Sequence, residues 1–274
     1  LSEFTNLFYI ALFFCVVCIA KLAYNYSVPY NTYKEIADDQ NPAIAASVSG
    51  FSFAIAIIYA ASVTGPSAGL VNDIINVSLY TLVGIILLML SRWINDKVLL
   101  HAFCNQEQLS EHKNVAVGIS QAGCYLASGL IIAGAISGEG SLISALVFYV
   151  LGQLLLVIAT KVYDRFTPFN LLTELEKQNN AAAISFASTL VAIGIILLHA
   201  LIGGFTSWES SLALFAQDAI IALVILPFVR IVIDKVMFPA VKLNIAIKDQ
   251  QNTALALLEG AVTISIAIVI LFAL

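Results

Sequence analysis

Two carboxylates stand inside long apolar runs: Glu259 in "NTALALLEGAVTISIAIVILFAL" and Asp218 in "SSLALFAQDAIIALVILPFV". In hydrocarbon an ionisable side chain costs a few kcal/mol or more. Such groups face a bundle interior or a water path and suit a proton relay or cation site. Gln121 stands 138 residues before Glu259, so one repeated position is polar twice. Gln153 and His199 complete a sparse polar set. The expected pathway has Glu259 as its central ionisable site and Gln121 as the counterpart, with Asp218 and Gln153 as further stations. The plainer alternative is that these groups bond Ser, Thr or Gln on neighbouring helices and serve only packing. His199, near the end of its run, fits an interfacial position.

The scaffold that must hold these residues follows from composition. Of 274 residues, 61% are apolar and 11% charged, where a soluble domain carries about 25% charged residues. About 20 apolar residues cross a hydrocarbon core, and eight windows qualify, near 5–27, 42–64, 72–92, 114–136, 141–161, 180–202, 210–230 and 252–274. The connections are too short to hide a nucleotide-binding or catalytic domain. The first window lacks a basic n-region and an Ala-x-Ala site, so it reads as a retained helix rather than a signal peptide. The start at Leu1 rather than Met is expected to reflect a trimmed or replaced upstream piece.

All 12 Lys and Arg fall in or beside the odd-numbered connections, and "TGPSAGLVND", "SGEGS" and "GGFTSWESS" have none. The positive-inside rule then puts the odd connections in the cytoplasm and both termini outside. At that face "DDQNPAIAASVSG", "EHKNVAVGISQAG", "EKQNNAAAISFAS" and "KDQQNTALALLEG" each pass from charge through Asn into an even-numbered span. Asn is a preferred helix N-cap, which assigns caps to Asn41, Asn114, Asn180 and Asn252. Small residues follow each cap, and in lipid such faces let backbones approach closely. The even spans are therefore expected to form a tight inner set.

A longer period is also present. "YNYSVPYN" (24–31) matches "YDRFTPFN" (163–170) at an offset of 139, and Arg92 with "DKV" (96–98) matches Arg230 with "DKV" (234–236) at 138. The chain thus reads as an all-α membrane protein of two parallel four-helix units, 1–138 and 139–274, related by a pseudo-twofold axis along the membrane normal.

The segments "FTPFN" (166–170), "NNAAAISFASTL" (179–190) and "NTALALLEG" (252–260) resemble the YjfL-like bacterial inner-membrane family of unknown function, whose members are typically a single four-helix unit. The resemblance covers the chain twice over. It implies a multi-pass protein of the bacterial inner membrane; this chain departs from the four-helix form by being a fused double unit, which suggests that the shorter members dimerise. It carries over no catalytic residue.

Two functions remain open from the residues. One is a channel or proton-coupled transporter of a small cation or solute. The other is a non-transporting scaffold or envelope-stress partner that docks a cytoplasmic protein through the charged connections, with "YxxxxP[YF]N" and "DKV" as the docking surface. An enzyme is not expected, and neither is a cofactor, metal or nucleic-acid partner. There is no phosphate loop, H-E-x-x-H or dense basic patch. Cys15 and Cys18 form C-x-x-C within a span, out of context for a redox motif, and with Cys104 and Cys124 they suggest no disulfide framework. The lipid bilayer is the expected partner, and a homo-oligomer is compatible with the repeats.

Overall fold

The computed structural model describes residues 2–64, 69–137, 141–167, 169–202, 205, 207–237, 239 and 241–273. Pro168 of "FTPFN" and the side chain of Arg230 lie outside what is described. The long helices are α1 (Ser2–Ser27), α2 (Pro42–Val63), α3 (Leu70–Ile94), α5 (Val115–Ser137), α6 (Leu142–Phe166), α8 (Asn180–Ile202), α9 (Trp208–Val232) and α11 (Thr253–Ala273). Eight helices among the described residues are long and apolar enough to cross a membrane. Short helices α4 (Asn105–Ser110), α7 (Leu171–Glu176) and α10 (Leu243–Lys248) precede α5, α8 and α11. A π-helical turn, Lys34–Asp38, takes the same place before α2. Two more π-turns, Asn95–Leu99 and Ile233–Met237, extend α3 and α9.

The predicted inner set is a row. α2 packs along α5, α5 along α8, and α8 along α11, and these are the most extensive helix pairs. α1, α3, α6 and α9 lie against the row and present large apolar residues such as Phe14, Ile86, Leu154 and Ile220 to the surroundings. Glycines set the spacing within the row. A Cβ on Gly118 would lie 2.2 Å from the Ala43 carbonyl oxygen, one on Gly123 would lie 2.6 Å from Ala187 Cα, and one on Gly260 would lie 2.7 Å from Ser188 Oγ. Without those methyl groups the backbones close to dispersion contact, which is what holds helices together where lipid removes the hydrophobic drive.

Each row helix begins on an Asn cap. Asn41 Oδ1 accepts from Ala43 N and Ile44 N at 3.0 and 3.3 Å, Asn114 Oδ1 from Val117 N at 3.3 Å, and Asn252 Oδ1 from Leu255 N at 3.0 Å. The third cap is Asn179, not Asn180: Asn179 Oδ1 accepts from Ala182 N at 3.1 Å, whereas the buried Asn180 Oδ1 has no hydrogen-bond partner. Counting from the apolar residue in the preceding short helix misplaced it, because the Leu175–Asn179 connection is one residue shorter than Leu109–Asn114 or Ile247–Asn252. The residue before each cap, Gln40, Lys113, Gln178 and Gln251, has positive φ between 46° and 62°. Glycine is the usual choice there, and its absence hides the turn from a sequence reader.

Loss of a cap costs about 1 kcal/mol, up to about 2. Asn179→Ala is therefore expected to lower the unfolding free energy in detergent by at least that amount, while Asn180→Ala leaves it within about 0.5 kcal/mol. Equal effects in a denaturant titration would show that the cap is misplaced.

Candidate functional site

Glu259, on α11, is 3% exposed. Ser185 Oγ, from α8, donates to its Oε2 at 2.6 Å, and the Tyr163 hydroxyl lies 2.8 Å from the same serine oxygen. The serine therefore links α6, α8 and α11 through one oxygen. Thr263 Oγ1 donates to the Glu259 carbonyl at 2.7 Å, one turn deeper. A cavity of about 20 Å³ touches Tyr163, Thr189, Pro227, Glu259 and Thr263. That is room for about one water molecule.

The first half contains the same arrangement 138 or 139 residues earlier. Ser47 Oγ donates to Gln121 Oε1 at 2.6 Å, and the Tyr24 hydroxyl lies 3.2 Å from Ser47 Oγ. Gln121 is bonded onward as well. Gln121 Nε2 donates to Asp96 Oδ1 at 3.0 Å, and Asn105 Nδ2 donates to the same oxygen at 3.1 Å. Arg92 Nε lies 3.9 Å from Asp96 Oδ2, an ion pair too long to be a hydrogen bond. The guanidinium sits 5.0 Å over the Tyr24 ring, and its Nη1 donates to Ser27 Oγ. A cavity of about 330 Å³ opens beside this cluster, lined by Ser27, Arg92, Asp96, Lys97, Asn105, Gln106 and less polar neighbours. Outside the spans, burial and then Tyr24 push the Tyr30 phenol up, so its hydroxyl, 3.3 Å from that of Tyr24, stays protonated at neutral pH.

The structure thus brings Gln121 and Glu259 to equivalent sites in the two halves, each on a serine and a tyrosine. Asp218 and His199 meet each other instead: His199 Nδ1 lies 2.7 Å from Asp218 Oδ2, the carboxylate is fully buried, and its Oδ1 has no partner. Along α8 this pair is 14 residues from Ser185, or roughly 21 Å, so it forms a separate site. Gln153 joins neither cluster. It is 4% exposed with both amide atoms unpartnered, one turn beyond Tyr149, whose hydroxyl donates to the Leu87 carbonyl at 3.1 Å.

Sequence reasoning missed Asp96. "DKV" is visible as a repeat but reads as loop, because the aspartate lies beyond the apolar run of α3. The π-turn Asn95–Leu99 keeps it on the helix, and π-turns gather at functional positions. Ser47, Ser185, Tyr24 and Tyr163 carried no charge signal at all. Their only trace was recurrence at 138 or 139.

Eight candidate spans in two equivalent halves, each with a buried polar cluster near its capped helix ends, define a multi-pass integral membrane protein built by tandem repetition. The chain belongs to the family described as Domain of Unknown Function (DUF350), which matches it twice, over residues 1–136 and 137–274. It is also similar to a "UPF0719 transmembrane protein" of Aquifex aeolicus (strain VF5), 24% identical over 176 residues and covering 63% of each chain. The matched stretch therefore spans less than two thirds of that relative's length. No solved structure matches the chain.

Asp96 accepts two amide hydrogen bonds and faces a guanidinium, so Asp96→Asn replaces an acceptor with a donor amid donors. The expected loss is on the order of 2 kcal/mol in detergent unfolding. An unchanged midpoint would return "DKV" to a docking loop.

Proposed function

We propose that the protein is a channel or proton-coupled transporter of a small cation or solute in the bacterial inner membrane, with the capped helix ends facing the cytoplasm. The observation that carries this reading is the paired cluster: Tyr24–Ser47–Gln121–Asp96 beside a 330 Å³ cavity in one half, and Tyr163–Ser185–Glu259 in the other. Hydroxyls that each donate and accept, ending on a carboxylate, are the parts of a proton relay. In this scheme Glu259 takes the proton or cation about 10 Å inside the Asn252 cap, and Gln121 holds the equivalent place without charge. The His199–Asp218 pair is a second station toward the opposite face. The location of Lys and Arg supports the orientation, and the scheme assigns no bond-making chemistry to any residue.

A second reading, a non-transporting scaffold that docks a cytoplasmic protein through the charged connections, draws on one specific observation. The space at Glu259 is only about 20 Å³, a nearly dry core.

Flux in liposomes separates the two. Wild type is expected to carry protons or a small cation down a gradient, and Glu259→Gln is expected to lose at least tenfold of that rate. The variant should remain folded, because Gln already occupies position 121 beside an equivalent serine. No flux from wild type under any gradient would favour the scaffold.

A further inference from the structure

The row α2–α5–α8–α11 has two open ends, and the way its helices are joined inside the chain says what fits there. At each internal junction the cap Asn amide reaches across to the next segment. Asn41 Nδ2 donates to the Leu109 carbonyl at 2.8 Å, Asn114 Nδ2 to the Leu175 carbonyl at 2.8 Å, and Asn179 Nδ2 to the Ile247 carbonyl at 3.0 Å. The fourth member, Asn252, uses its Oδ1 as a cap, and among the described residues its Nδ2 has no such acceptor. The matching acceptor position at the other end of the row is the carbonyl of Ile36, which aligns with Leu109 and Ile247 five residues before its cap.

The helix faces agree with the broken bond chain. The α5–α8 junction, which joins the two halves, packs Gly123 on Ala187 and Ala127 on Gly194. A shift of 138 residues turns these into Ala261 on Ser49 and Ser265 on Ala56, on α11 and α2. Ala261, Ser265 and Ser49 are exposed where Gly123, Ala127 and Ala187 are buried. The outer layer repeats the pattern. Ile131, fully buried against Gly152 of α6, corresponds to Val269, which is 63% exposed. At the connections, Gln178 Nε2 reaches the His112 carbonyl at 3.5 Å, and Gln40 and Gln250 stand at the equivalent places with the same glutamine donor.

We propose that a second copy of this chain docks head to tail on the first, α11 of one against α2 of the next, in the geometry of the internal α5–α8 junction. Asn252 of one copy would donate to Ile36 O of its neighbour. Such a contact is heterologous: it leaves each added copy with the same free ends, so it builds a closed ring or a filament according to its rotation. Two internal glycines are replaced by Ala261 and Ala56 at this junction. The backbones there must stand further apart by about the thickness of a methyl group, so the contact between copies is looser than those inside one.

Oxidative cross-linking in native membranes tests this, in a chain whose Cys15, Cys18 and Cys104 are replaced by Ala. Ser49→Cys and Ala261→Cys together place thiol-bearing carbons within disulfide reach only across the proposed junction. The double variant is expected to give a ladder of dimer, trimer and higher species, and each single variant none. Dimers from a single variant would mean an isologous contact and overturn the proposal. So would the absence of a ladder from a double variant whose thiols both react with a lipid-soluble maleimide. Neither residue is buried within the chain, so folding is not at issue.

Discussion

The asparagine at the head of each row helix is the interaction on which the architecture depends. Its Oδ1 closes the first turn of its own helix, and in three of four cases its Nδ2 binds the backbone of the next segment. Asn41, Asn114 and Asn179 also donate to a side chain just upstream: Glu35, Gln108 and Glu174. An unpaired polar group near hydrocarbon costs several kcal/mol, so each amide fixes how deep one helix sits against its neighbour. Depth in turn fixes chemistry. Ser47 and Ser185 follow their caps by six residues, Gln121 and Glu259 by seven, and the shared register delivers each serine to its partner at 2.6 Å.

Much of this was legible in the sequence because membrane spans are long and their signal is strong. All eight windows fall on long helices, the small residues after the caps form the row, and the 138-residue period predicted that Gln121 and Glu259 are equivalent. The errors arose where the signal was local and weak. One connection is a residue shorter, so the repeat pattern points to Asn180 where the structure has its cap at Asn179. A π-turn has no sequence signature, so the sequence assigns Asp96 to a loop. His199 and Asp218 were read singly because their meeting depends on the packing of α8 against α9, which composition does not encode.

Duplication within one chain also lets the halves differ. Position 121 is Gln and position 259 is Glu, and Asn105, a donor to Asp96, is replaced 138 residues later by Leu243. In the second half Asp234 Oδ1 accepts from the Leu243 backbone N–H at 2.8 Å instead. The first half holds one oxygen of its aspartate between two amide donors beside an open cavity, and the second carries the extra acid beside a space of about 20 Å³.

The central claim is that the acid acts through a site both halves possess, so it should work from either. Flux through the exchange variant, Gln121→Glu with Glu259→Gln, tests this most directly. The exchange places the new glutamate on Ser47 as the native one stands on Ser185, and sets its other oxygen against Asp96 Oδ1, where Gln121 Nε2 donates in the wild type, so the new carboxyl must carry a proton there. The account predicts that flux lost in Glu259→Gln returns in the exchange variant to within about tenfold of wild type. A folded exchange variant with no flux, alongside an active wild type, would contradict the equivalence of the two sites.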